Sequence, residues 1–360
     1  MIDIKAISKM PFAYNGNKKK LVNLIYNNIK NVQFHSVIDA FSGSGSMSLL
    51  FKYMGKEVHS NDALALSYYA SQALIENQDQ TLNADEINKL LIANKQGFVY
   101  DNYLGNQWRT KECRFNKFTE KECLFLDGFY DNLQLLNNNH KKKLAFIANA
   151  AVLFRLPFGS MDKSLDIMNN RVKQSKEYGK ESENHDRRIG IYYDKDFNLN
   201  FEKWFVKYAN DFNLLVKKSN QCFSYNLDII DFLNKKVQVD CIYFDPPYGG
   251  HGSDYFNLYR FYEEYIHQTA IEKNNYFNRF IYKRSYQENF IEMLELSTHI
   301  PKWIFSFNDD SWATIEKIVG IIQRYKRRVQ PIILNSKYRY LYRKNQGKDI
   351  TVCEYLIVAE

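Results

Sequence analysis

The apolar run Val239-Asp240-Cys241-Ile242-Tyr243-Phe244 ends in Asp245-Pro246-Pro247-Tyr248. Two prolines fix φ and remove two backbone donors directly after a carboxylate, so the carboxylate and the carbonyls of this corner can only accept hydrogen bonds. A primary amine conjugated to a heteroaromatic ring suits such a corner, since it has two N–H donors and a lone pair tied up by delocalisation. Accepting its hydrogens on the Asp245 carboxylate and the Pro246 carbonyl favours a pyramidal nitrogen with that pair available. Tyr248 is placed to stack on the ring. The same four residues also read as a plain strand end and Pro-Pro turn, and a motif upstream decides between the two.

That motif is Ser36-Val37-Ile38-Asp39-Ala40-Phe41-Ser42-Gly43-Ser44-Gly45, followed by the apolar Met47, Leu49, Leu50 and Phe51. A strand, a Gly-rich turn and a helix bring backbone close to a nucleotide-like ligand in α/β folds. As a dinucleotide fingerprint it fails at the third glycine, which is Ser48. Taken together, Asp39, Phe41, Gly43 and Gly45 upstream and Asp245, Pro246, Pro247 and Tyr248 downstream resemble the S-adenosylmethionine-dependent amino-methyltransferases. The specific resemblance is to the D12 class of N6-adenine-specific DNA methyltransferases, the DNA adenine methylase family, and it covers most of the chain through scattered motifs.

The resemblance implies an α/β fold with a Rossmann-like methyltransferase sheet, mainly parallel with one antiparallel strand near the C-terminus, and a mostly helical insertion. It implies S-adenosylmethionine as cofactor, double-stranded DNA as partner and no metal. Tyr14 and Lys18, in Tyr14-Asn15-Gly16-Asn17-Lys18, are similar to a family motif that encloses the methionine part of the cofactor, and Asn17 departs from its second glycine. The triple lysine Lys18 to Lys20 also reads as a solvated helix start. Asp228, one strand before the Pro-Pro corner, resembles the acceptor for the cofactor's adenine amine, with Asp231 as the alternative. Phe305 to Trp312 looks like a later family motif near the target-base pocket.

Asp62 is read from the residues themselves. A carboxylate ending the second strand can accept both hydroxyls of a ribose, and it can also cap the helix expected over 63–77; the two roles are compatible.

A chain of 360 residues can bury a sizeable core, and 45% hydrophobic content fits a globular protein. The net charge of +8 matches the sign of a phosphate backbone. The 27 tyrosines and 26 phenylalanines leave rings for stacking beyond what a core needs. Cys113, Cys123, Cys222, Cys241 and Cys353 lack zinc spacing and are odd in number, which suits reduced thiols in the cytoplasm. No signal-peptide pattern opens the chain, and the longest apolar run, Leu144 to Phe154, is too short to span a bilayer.

Three parts are expected: a first catalytic part over 1–90 that binds cofactor, a target-recognition insertion over 91–220, and a second catalytic part over 221–360. Helical patterns lie near Ala84 to Ala93, Thr119 to Leu136 and Lys142 to Phe154. Arg155, Lys163, Arg171, Arg187 and Arg188 are the candidates to meet phosphates or bases, although charged side chains of this kind are mostly solvated surface. The cluster Arg324, Lys326, Arg327 and Arg328, with Lys337 to Lys344, is a second candidate DNA surface. His251, in a Gly-rich loop after Tyr248, is not required by the chemistry.

The resulting expectation is methyl transfer to N6 of an adenine flipped from duplex DNA at a specific site, with a cognate restriction endonuclease as a further partner. The alternatives are N4-cytosine DNA methylation, RNA amino-methylation, a non-catalytic DNA-binding relative, and a dehydrogenase that leaves the Pro-Pro corner unexplained.

Overall fold

A computed structural model describes residues 4–12, 14–104, 118, 120–155, 197–249, 254–272, 279–309, 311–326, 328–345 and 348–360, with backbone alone at 155, 197–200, 257, 283, 335–345 and 348–352. The strands are β1 (Ser36–Asp39), β2 (Glu57–Asn61), β3 (Cys222–Tyr225), β4 (Cys241–Phe244), β5 (Lys302–Asn308), β6 (Val329–Asn345) and β7 (Lys348–Ala359). They form one sheet in the order β3-β2-β1-β4-β5-β7-β6. All neighbours from β3 to β5 run parallel, and β7 runs antiparallel to both β5 and β6. The single reversed strand expected near the C-terminus is therefore β7.

Alternation along each strand divides the core. Val37, Val58, Tyr243, Ile304 and Leu356 face one side, while Ile38, Ile242, Phe244, Trp303 and Ile357 face the other. β4 is buried at all four positions, as a strand covered on both faces should be. The order reverses between β1 and β4, and ligands of open α/β sheets bind at such a switch point, beyond the carboxyl ends of the strands. There the Ala40 amide donates to the Tyr243 carbonyl at 3.0 Å, which brings two distant motifs side by side.

Between β2 and β3 the described chain is helical, including Ala84–Leu91, Phe98–Tyr103, Glu120–Gln134, Asn139–Arg155 and Phe197–Asn213. The apolar run from Leu144 is a buried helix, with Leu144, Phe146, Ile147 and Val152 in the larger core. The helix Tyr255–His267 packs there too, through the fully buried Tyr259, Tyr262 and Tyr265. Those rings are core: a helix lined with aromatics needs an apolar partner, and the Leu144 helix supplies one through Phe146 and Phe154.

Lys52, almost wholly buried, donates to the carbonyls of Leu74, Ile75 and Asn77 at 3.0, 2.8 and 2.6 Å. These belong to the π-helical turn Gln72–Glu76 and the residue after it, so the ammonium serves backbone acceptors that such a turn leaves over. In the C-terminal basic cluster, Lys326 donates to the carbonyls of Ile300 and Pro301 and lies 4.4 Å from the Trp303 ring centroid. These residues sit where β5 begins, at the end of the sheet away from the switch point. Lys326 ties the fold together rather than facing a ligand at that crevice. Arg327 lies outside the described residues.

Candidate active site

One cleft of about 970 Å3, its open mouth included, is lined by residues from both motifs: Phe41 and Gly43 on one side, Asp245 to Tyr248 on the other. Tyr14, Lys18, Asp62 and Asp228 also line it.

The turn after β1 is shaped by Gly43 at φ +50° and Gly45 at φ +77°, the left-handed region where glycine is free of strain. A side chain at Gly43 would also meet Tyr14, its Cβ 2.9 Å from the ring. The Gly43 amide donates to Asp62 Oδ2 at 2.8 Å and the Leu64 amide to Oδ1 at 2.9 Å. Asp62 therefore fastens the turn while facing the cleft. Burial pushes its carboxyl up to about 6, against the pull of the Leu64, Gly43 and Ser67 donors.

Two expected ligand residues do not line the cleft. Gly45 begins the helix Ser46–Tyr53 and only shapes the turn. Asp39 is 1% exposed and accepts from Ser48 Oγ at 2.6 Å, so it anchors that helix from below. The strand's alternation explains this: the residue that ends β1 pointing inward cannot also face a ligand above the sheet. Burial pushes the Asp39 carboxyl up to about 7 against the Ser48 hydrogen bond, with the Asp245 and Asp62 charges adding to the rise. A carboxyl raised above its unfolded value of about 3.9 contributes fully below that pH, and its contribution is lost as pH climbs through the folded value. Relative to wild type, Asp39→Asn should gain unfolding free energy between about pH 4 and about 7 and then level off. A difference that stays flat in denaturant titrations across this range rules out the raised carboxyl.

At the far end Asp228 caps the helix Ile229–Leu233, accepting from the Ile230 amide at 3.0 Å, and pairs with Arg279 Nε at 2.9 Å. Phe41, Leu227, Ile229 and Phe280 make this end apolar, with Phe41 and Phe280 edge to face at 5.6 Å. This end therefore joins an apolar wall to a carboxylate acceptor at Asp228. Asp231 is exposed and does not line the cleft, which favours Asp228 of the two.

The N-terminal loop closes the near end. Gly16 takes φ +74° under the Tyr255 hydroxyl, and Asn17 bonds back to the Tyr14 carbonyl. The loop therefore turns on Gly16 as its left-handed residue, with Asn17 bonding back. Tyr14 stacks on Tyr259 at 4.6 Å and on Tyr255 at 5.8 Å.

Lys18, 4% exposed, reaches across to the Pro-Pro corner. Its Nζ lies 2.8 Å from each Asp245 oxygen, 3.0 Å from the Tyr248 hydroxyl and 3.2 Å from the Gly16 carbonyl. The Tyr248 hydroxyl also donates to Asp245 Oδ1 at 2.9 Å. An ammonium thus already engages the acceptors that the corner offers to an amine. Sequence reading placed Lys18 beside the cofactor and missed this pair, which spans 227 positions.

Other contributors were also missed. Tyr286 donates to the Pro247 carbonyl at 2.6 Å and stacks on Trp312 at 4.9 Å, which holds the corner from behind. Arg279 steadies Asp228. Neither stands in a local pattern, so no spacing rule finds them. Of the DNA candidates, Arg155 ends the helix Asn139–Arg155 with its side chain outside the description, and Lys163, Arg171, Arg187 and Arg188 lie outside the described residues, as does His251. Among the described residues no cluster of His, Cys, Asp or Glu could hold a metal ion, and no helix is long and apolar enough to cross a membrane.

The sequence model of the D12 class N6 adenine-specific DNA methyltransferases matches residues 14–318. The chain belongs to this family. It is also similar to the Type II methyltransferase M2.HphI of Haemophilus parahaemolyticus, 27% identical over 337 residues that cover 93% of this chain and 94% of that one. For a D12 methyltransferase, an amine on a purine is the group to be alkylated, and the acceptor corner at Asp245 is the part of the cleft suited to it.

Proposed function

We propose that the donor is S-adenosylmethionine and that the acceptor is N6 of an adenine swung out of duplex DNA. The observation that supports this most is the shared cleft, which sets the Gly43 turn beside the Asp245-Pro246-Pro247-Tyr248 corner. The cofactor brings a methyl group already activated on a sulfonium, so alignment is the main task left to the protein.

Asp228 accepts from the cofactor's adenine amine beside the apolar wall of Phe41, Leu227, Ile229 and Phe280, Asp62 accepts from its ribose, and Tyr14 and Gly43 bound the remainder. Asp245 and the Pro246 carbonyl accept the two N6 hydrogens, Tyr248 stacks on the target ring, and Pro247 completes the turn. The proton shed by N6 leaves along its bond to Asp245. N6 is engaged in base pairing, so flipping costs a few kcal/mol, offset by stacking and these hydrogen bonds.

In this reading 1–90 and 221–360 form the catalytic parts and 91–220 recognises the target. The enzyme acts in the cytoplasm, and a restriction endonuclease of the same specificity is its expected companion. The test is incubation of duplex DNA with methyl-tritiated S-adenosylmethionine followed by nucleoside digestion. Label in N6-methyldeoxyadenosine is expected. Label in N4-methyldeoxycytidine, or none, overturns the proposal.

A further inference from the structure

Three successive backbone amides just after Asp62 are shared between two carboxylates. The Leu64 amide donates to Asp62 Oδ1 at 2.9 Å. The next two, of Ala65 and Leu66, donate to Glu263 Oε2 and Oε1, each at 2.9 Å. They open the helix Ala65–Ser71, and the first amides of a helix find no partner inside it. Leu64, which precedes this helix, has no side-chain oxygen to offer them. The cap comes instead from Glu263, 198 positions from Ala65, in the helix Tyr255–His267 and 3% exposed.

Ala63 and Leu64 line the cleft beside Asp62, so the point where this helix starts governs how the Asp62 carboxylate is presented. Asp62 in turn fastens the Gly43 turn at 2.8 Å. The helix that carries Glu263 also holds the N-terminal loop. Its Tyr259 stacks on Tyr14 at 4.6 Å, and the Tyr259 hydroxyl accepts from the Asn15 amide at 2.6 Å. Burial pushes the Glu263 carboxyl up to about 7, while its two amide bonds pull the other way. Resting on the function proposed above, we propose that Glu263 is a positioning residue for S-adenosylmethionine. It fixes the start of the helix after Asp62, and through it the carboxylate that receives the ribose.

The neighbouring Glu264 provides the control. It is also 3% exposed, but it bonds Arg260, the Ile271 amide and Tyr103, none of which lines the cleft. Glu263→Gln keeps the shape and sets an NH2 donor against one of the two amides. Steady-state rates should show the KM for S-adenosylmethionine raised about tenfold, the scale of a lost cap. Both kcat and the KM for DNA should stay within about twofold of wild type, a split that marks lost binding rather than lost protein. Glu263→Asp keeps both oxygens on a shorter stem. It should show the same split at smaller size, and it carries the test if the glutamine variant fails to fold. Glu264→Gln should lower the melting temperature without moving the cofactor KM.

An unchanged cofactor KM in the Glu263 variants overturns the inference. So does a fall in kcat alone, or an equal rise of cofactor KM in Glu264→Gln. Wild-type enzyme run alongside separates the two proposals: a wild-type rate that does not depend on S-adenosylmethionine sinks the function itself.

Discussion

Replacing Asp245 by alanine abolishes methyl transfer and, in the unliganded protein, lowers the melting temperature as well. The first effect follows from removing the acceptor that draws on the target amine. Loss of one preorganised electrostatic group of this kind costs on the order of 10²–10³-fold in rate, and Asp245 is charged. The second follows from Lys18, whose ammonium sits 2.8 Å from both Asp245 oxygens with a side chain only 5% exposed. Breaking a buried pair by taking one partner leaves an uncompensated charge, at about 3 kcal/mol for a site this enclosed. Adding Lys18→Met to Asp245→Ala should recover the stability and leave methylation absent. Tritium transfer and thermal melting on the three variants measure both. If Asp245→Ala melts like wild type, the pair is not the tie described here; if it methylates DNA at the wild-type rate, the corner is not the amine site.

Gly43→Ala should impair cofactor binding far more than Gly45→Ala does. Both positions hold a left-handed backbone, so alanine costs about 1–2 kcal/mol at either. At Gly45 the added carbon meets nothing within 4 Å, whereas at Gly43 it lands 2.9 Å from the Tyr14 ring. Tyr14 is stacked on Tyr259 and has little room to yield. Either the ring moves into the cleft or the turn shifts, and the Gly43 amide then loses Asp62. Calorimetric titration with S-adenosylmethionine should show at least a tenfold weaker affinity in Gly43→Ala, about 1.4 kcal/mol. Equal affinities in the two variants contradict the assignment of this turn to the cofactor.

The sheet and both motif turns were legible in the sequence because each is a local pattern. An apolar four-residue strand followed by Gly-x-Gly or Pro-Pro needs no knowledge of its neighbours. Asp62 was read as an acid at a strand end and Asp228 through the family resemblance, and both line the cleft. What escaped reading depends on distant partners. Lys18 looked like a solvated helix start or a cofactor contact, and only the fold puts it on Asp245. Asp39 shares its motif with Phe41, yet the pleat turns its side chain below the sheet. Composition counts rings without saying which helix will bury them, and here Tyr259, Tyr262 and Tyr265 are buried.

β2 and β3 are adjacent, with Val58 opposite Cys222, and the Asp62 amide bonds to the Tyr225 carbonyl at 3.2 Å. Every residue between them thus leaves and re-enters at a single edge of the scaffold. Changes along that excursion that spare Asp62 and the buried Leu144 helix should leave the reacting corner in place.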